Sequence, residues 1–97
     1  MEKRSYVYIL ASKPHGTIYT GYTADLARRI YEHREGVVPG FTKTYAVKRL
    51  VHVEAFDDPR IAQQRERVIK KWKRDWKINL IERENPNWDD LYEGLNN

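Results

Sequence analysis

The sequence predicts an α/β protein in which a small, three-stranded, mainly antiparallel sheet is flanked by helices, and three observations carry that expectation. Two runs rich in β-branched, aromatic and aliphatic residues, Ser5 to Ser12 and Thr17 to Thr23, flank the turn sequence Lys13-Pro14-His15-Gly16. A third such run, Leu50 to Phe56, follows a stretch containing glycine and proline. Between and beyond these runs, apolar residues recur at helical spacing.

Each element has a local reason. Pro14 suits the second position of a turn and Gly16 its last, so the first two runs read as a hairpin. In a pleated strand Tyr6, Tyr8 and Leu10 share a face, as do Thr17, Tyr19 and Gly21, so Tyr8 and Tyr19 become neighbours if those faces coincide. Thr23 can cap the next helix, about residues 24–35, with Asp25 in its first turn and Gly36 as its stop. Leu26 and Ile30 form its apolar line. His33 falls nearly on that line, Arg29 to one side of it, and Arg28 toward solvent. Residues 36–48 hold two Gly and a Pro and read as a loop, made basic by Lys43, Lys48 and Arg49. Asp57-Asp58-Pro59 caps a long helix with Ile61, Val68, Ile69, Trp72 and Trp76 as its core face and Glu66 on its flank. Asn79-Leu80-Ile81 continues this helix or begins a short one. Asn87 to Tyr92 reads as a capped final turn that packs Trp88, Leu91 and Leu95 on the body.

At 97 residues the chain has apolar material for one domain, with a core at about 5–81 and an acidic tail at 82–97. Its 40% hydrophobic residues beside 33% charged ones indicate a globular protein rather than a disordered one. No cysteine is present, which excludes disulfides, thiolate metal sites and thiol nucleophiles. Neither an apolar signal segment nor a bilayer-spanning run is found, so a cytoplasmic protein without a membrane partner is expected. The net charge of +4 is unevenly spread. Residues 1–81 carry 17 Lys and Arg against 9 Asp and Glu, while residues 82–97 carry one Arg against five acidic residues. Basic residues crowd from Arg60 to Lys77, and Lys70, Lys73, Arg74 and Lys77 form a plausible grip on a nucleic-acid backbone.

Tyr6-Val7-Tyr8, Tyr19-Thr20-Gly21, Arg29 ten residues past Tyr19, His33 one helical turn later and Glu66 on a later helix form a spaced set. That set resembles the GIY-YIG nucleases over about residues 5–81, and most resembles their small stand-alone bacterial members. Tyr6 and Val7 replace the initial glycine and isoleucine of the first tripeptide, and Thr20 replaces the isoleucine of the second. Tyr22 stands where some members carry lysine. The resemblance implies hydrolysis of phosphodiester bonds in DNA with one Mg²⁺ or Mn²⁺, and leaves structure-specific and repair-linked cleavage open. It implies that Tyr19 is the general base, positioned by Tyr8, and that Arg29 contacts the phosphate. His33 would bond Tyr19, the phosphate or a water, Glu66 would ligate the metal, and Asn79 would help order the site.

A tyrosine ordinarily ionises near pH 10, so this base needs cationic neighbours. Arginine's planar fork suits phosphate, and a lone carboxylate with waters suits a hard divalent ion. Taken singly, the same residues have plainer readings. The tyrosines pack, Arg29 pairs with Glu32 or Glu66, His33 is a satisfied core-edge histidine, and Glu66 pairs with Lys70. A non-catalytic nucleic-acid-binding module and a protein-interaction module built on Tyr31, Tyr45, Tyr92 and the acidic tail therefore stay open. A domain this small can also take its specificity from a protein partner or from self-association.

Overall fold

Strand β1 (Ser5–Ala11) lies in the middle of the sheet, antiparallel to β2 (Ile18–Thr23) on one side and to β3 (Arg49–Phe56) on the other. The computed structural model describes residues 4–37 and 39–96. Met1 to Lys3, the start of the stretch expected to hold no signal segment, Val38 in the expected loop, and Asn97 lie outside these residues. As the central strand, β1 has hydrogen-bonding partners on both edges and is buried from Val7 to Ala11, which fits its unbroken apolar and aromatic run. In the hairpin register Tyr8 lies opposite Gly21 and Leu10 opposite Tyr19, so the two tyrosines share a face.

The sheet separates two clusters of core side chains. On one face Val7, Ile9, Ala11 and Val51 meet Ala62 and Ile69 of α3 (Pro59–Lys70), Leu80 and Ile81 of α4 (Arg74–Glu84), and Trp88. On the other face Tyr8, Leu10 and Leu50 meet Val47 together with Leu26 and Ile30 of α1 (Leu26–Arg34). Leu91, Tyr92 and Leu95 of a closing 3-10 turn (Leu91–Asn96) pack against this second cluster. Fully burying one such apolar side chain contributes about 1.5–3 kcal/mol. Among the described residues no helix is long and apolar enough to cross a membrane.

Four local expectations are corrected. Asp25, not Thr23, caps α1: its side chain accepts from the Arg28 amide, while Thr23 Oγ1 accepts from the Asp25 amide in the turn before. The expected loop contains a short helix, α2 (Phe41–Thr44). Gly40 enters it at φ 102°, a conformation open to glycine, and buried Thr42 and Val47 hold the segment down. The long helix breaks at residues 71–73, with Arg67 and Lys70 in the last turn of α3 and Asp75 in the first turn of α4, each charge placed where a helix end favours it. The buried face also differs from the expected one. Ala62 and Ile69 point inward, whereas Ile61, Val68 and Trp76 are 53%, 43% and 57% exposed.

A polar network fastens α3 to β3. Arg65 makes two hydrogen bonds to Glu54, at 2.8 and 3.0 Å, Glu54 also meets His52 Nε2 at 2.8 Å, and the Arg65 guanidinium lies over the Trp72 ring. Burial alone would raise the Glu54 carboxyl, but the hydrogen bonds from His52 and Arg65 outweigh it and hold the group at about 2. A folded value below the unfolded one means the contribution is complete above the ordinary glutamate range and is lost as pH falls toward 2. Urea denaturation at a series of pH values should show on the order of 2–3 kcal/mol disappearing between about pH 5 and pH 2. Glu54→Gln should be weaker at pH 7 and flatter across that window.

Candidate nucleic-acid cleavage site

The site is built where β2 forms a free edge of the sheet, between α1 and α2 on one face and α3 reaching past the edge from the other. Gly21 makes room for it. A Cβ there would lie 2.5 Å from Cζ and the hydroxyl oxygen of Tyr8 and 3.0 Å from Cε2 of Tyr19, so the Tyr8 ring can cross the strand only because this residue has no side chain.

Tyr8 is completely buried, and its hydroxyl lies 3.1 Å from His33 Nε2. The other ring nitrogen of His33, Nδ1, lies 2.9 Å from Thr42 Oγ1. Burial, then the nearby Arg29, holds His33 below the ordinary imidazole value against the opposing pull of Glu32. The neutral ring donates at one nitrogen and accepts at the other, and a hydroxyl can serve either need, so the chain Tyr8–His33–Thr42 is fully satisfied. His33 therefore spends both nitrogens on Tyr8 and Thr42 rather than on Tyr19. Tyr19 is half-buried, with its ring centroid 6.4 Å from Tyr8, 5.7 Å from His33 and 6.3 Å from Phe41, on which it stacks.

Charged groups surround these rings. Burial and the neighbouring Tyr19 push the Tyr8 phenol up to about 12, while Arg29 pulls the other way and Glu66 adds to the rise. Arg29 is thus beside Tyr8, and it also pairs with Glu32 at 3.5 Å. Its side chain is 43% exposed against 75% for Arg28, in keeping with its helical phase. Glu66 pairs with Lys70 at 2.7 Å, yet its side chain is only 16% exposed. The Lys70 ammonium lies 5.8 Å from the Tyr19 ring centroid. Five of the residues singled out in the sequence, Tyr8, Tyr19, Arg29, His33 and Glu66, are therefore brought together.

Asn79 is placed apart. It is exposed on α4 and lines a shallow depression with Trp72, Trp76, Leu80 and Arg83. Among the basic residues, Lys77 Nζ reaches the Lys70 carbonyl at 3.3 Å, and Lys73 is exposed at the start of α4. Arg74 turns back on the hairpin loop, donating to the carbonyls of His15 and Gly16 at 2.7 and 2.6 Å. Tyr22 packs with the α3 cluster on the opposite face and meets Ser5 Oγ at 3.4 Å. Two residues of the site were not singled out in the sequence, Thr42 and Phe41. Both lie in a segment whose glycines and proline suggest a loop, and no spacing marks either of them. Among the described residues no group of three or more His, Asp or Glu stands close enough to chelate an ion, so Glu66 offers a lone carboxylate.

This sheet carries two tyrosines, with an arginine and histidine on α1 and a glutamate on α3, and the GIY-YIG catalytic domain matches residues 4–79: the chain belongs to the GIY-YIG family. The family is a nuclease family, and its nucleases in general depend on a metal ion. Within the family the chain is similar to the UPF0213 proteins. One from Clostridium perfringens is 42% identical over 77 residues, 79% of this chain and 82% of the relative. One from Natronomonas pharaonis is 41% identical over 76 residues, 78% of this chain and 88% of the relative. The solution NMR structure of a UPF0213 protein from Bacillus halodurans, 32% identical, superposes with a TM-score of 0.57 over 93% of this chain and 95% of that one.

Proposed function

We propose that the protein is a metal-dependent endonuclease that hydrolyses phosphodiester bonds in DNA. The observation that carries this reading is the convergence of Arg29 and Glu66, from helices on opposite faces of the sheet, on the tyrosine pair at the β2 edge. Tyr8, sealed from water and with its phenol raised to about 12, is unsuited to lose a proton near neutrality, so it acts as a fixed post held by His33. Half-buried Tyr19 can meet a water and, as the phenolate, takes its proton, becoming the neutral phenol while the hydroxide attacks phosphorus. Arg29 stabilises the phosphate oxygens as charge builds on them. Glu66 fits a hard divalent ion, Mg²⁺ or Mn²⁺, because its carboxylate is withdrawn from bulk water and already carries a cationic head, the Lys70 ammonium. When bound, that ion supplies charge stabilisation at the leaving oxygen. Lys70, Lys73 and Lys77 grip the backbone without reading sequence, and Arg74 sits among them.

A second reading, a nucleic-acid-binding module without turnover, has one observation in its favour: Tyr22 is packed on the far side of the sheet, where some family members carry a lysine. One experiment separates the two. Labelled single-stranded, duplex and branched DNA is incubated with the protein and Mg²⁺ or Mn²⁺, alongside Tyr19→Phe, Arg29→Ala and Glu66→Ala. Metal-dependent cleavage that all three folded variants lose is the expected result. Salt-sensitive binding without cleavage would leave the binding module in its place.

A further inference from the structure

We propose that Lys70 is the resident counter-ion of Glu66, and that it competes with the divalent ion for that carboxylate and is released to the substrate phosphate when the ion binds. The proposal rests on Glu66 as the metal-holding residue. The Glu66 side chain is 16% exposed, and a carboxylate so withdrawn from water needs a partner charge. Lys70, one helical turn on, supplies it at 2.7 Å from Oε2, so a metal ion ligated by that oxygen would have to displace the ammonium. A dication held on the same carboxylate repels an ammonium at that distance strongly, and the flexible four-carbon stem of lysine lets the head withdraw.

Its direction of withdrawal is set by its surroundings. The ammonium already lies 5.8 Å from the Tyr19 ring centroid, so leaving Glu66 carries it along the face where the scissile phosphate meets Tyr19 and Arg29. Lys77 Nζ reaches the Lys70 carbonyl at 3.3 Å, and after burial and Arg74 the Lys70 charge helps hold the Lys77 ammonium below its ordinary value, so a second cation offers no resting place beside Lys77. A phosphate that takes Lys70 frees Glu66 for the ion, and an ion on Glu66 frees Lys70 for the phosphate. Metal and substrate therefore strengthen each other's binding reciprocally.

The test is Mn²⁺ binding, read from the EPR signal of the free ion, on the whole chain without DNA. Lys70→Met should bind Mn²⁺ about tenfold more tightly than wild type, and Lys70→Gln should repeat the gain. Lys71→Met, which removes a neighbouring exposed charge that makes no ion pair with Glu66, should change affinity by less than about threefold. Lys70→Met should at the same time cleave DNA more slowly, a gain in metal and loss in rate that a merely structural lysine would not give. Unchanged or weaker Mn²⁺ binding in both Lys70 variants, with binding lost in Glu66→Gln, overturns the exchange and leaves the metal site standing. Unchanged binding in Glu66→Gln overturns the metal assignment and the exchange together.

Discussion

Arg29→Ala is expected to slow metal-dependent DNA cleavage by about 100- to 1000-fold, the loss that follows removal of one well-placed donor to developing oxyanion charge. The fold should survive it. The Arg29 side chain is part-exposed, and Glu32, its ion-pair partner at 3.5 Å, keeps a second arginine, Arg28, at 3.4 Å. No buried charge is stranded, so the stability change should stay within about 1 kcal/mol. Arg29→Lys should recover only part of the rate, because an ammonium cannot reproduce the two-pronged contact of a guanidinium. Single-turnover kinetics with saturating metal, alongside thermal melting, measure both quantities. A rate within about fivefold of wild type would remove Arg29 from the phosphate.

The largest effect on stability is expected at Trp88, which is 1% exposed in the core cluster beside Val51, Ile69 and Ile81. Trp88→Ala should cost about 3–5 kcal/mol, as large-to-small changes at buried aromatic positions do. Polar fastenings surround the ring. Nε1 donates to Glu82 Oε2 at 2.7 Å, the backbone carbonyl accepts from Arg49 at 3.2 Å, and the His15 ring lies 4.9 Å away. The residue also sits at φ 57°, which a bulky side chain seldom adopts and which the Asn85 network holds: Asn85 Nδ2 donates to the carbonyls of Val51 and Asp89, and Asn85 Oδ1 accepts from the Asp89 amide. Chemical denaturation followed by circular dichroism is the measurement. A cost under about 1 kcal/mol would show that the closing segment rides on the core without belonging to it.

The sheet was legible because its signals are local. Alternation, a proline-glycine turn and a third β-branched run require no knowledge of tertiary contacts, and the phase of α1 places Leu26, Ile30 and His33 inward, where they are buried. The pairing of Glu66 with Lys70 was legible for the same reason, being a matter of one helical turn. What escaped depends on long-range contact. The burial of Thr42 follows from His33 needing a second partner, and nothing in Gly40-Phe41-Thr42-Lys43 announces it. The inward face of α3 was misjudged because bulky Ile61 and Val68 outweigh small Ala62 in any apolar pattern, while in the fold close approach to the sheet selects the small residue. The helix break at residues 71–73 carries no glycine or proline, so only its charge distribution hints at it.

Arg74 has a consequence for how the basic face behaves toward a polyanion. Its guanidinium is spent on the His15 and Gly16 carbonyls, tying α4 to the turn of the hairpin that carries Tyr19. The number of small ions expelled when nucleic acid binds counts the cations that meet phosphates, not the cations written in the sequence. The slope of affinity against salt should therefore be set by the lysines around Arg74, and neutralising Arg74 should change that slope little while loosening the turn that positions the tyrosine. The residue belongs to the mechanics of the hairpin more than to its charge.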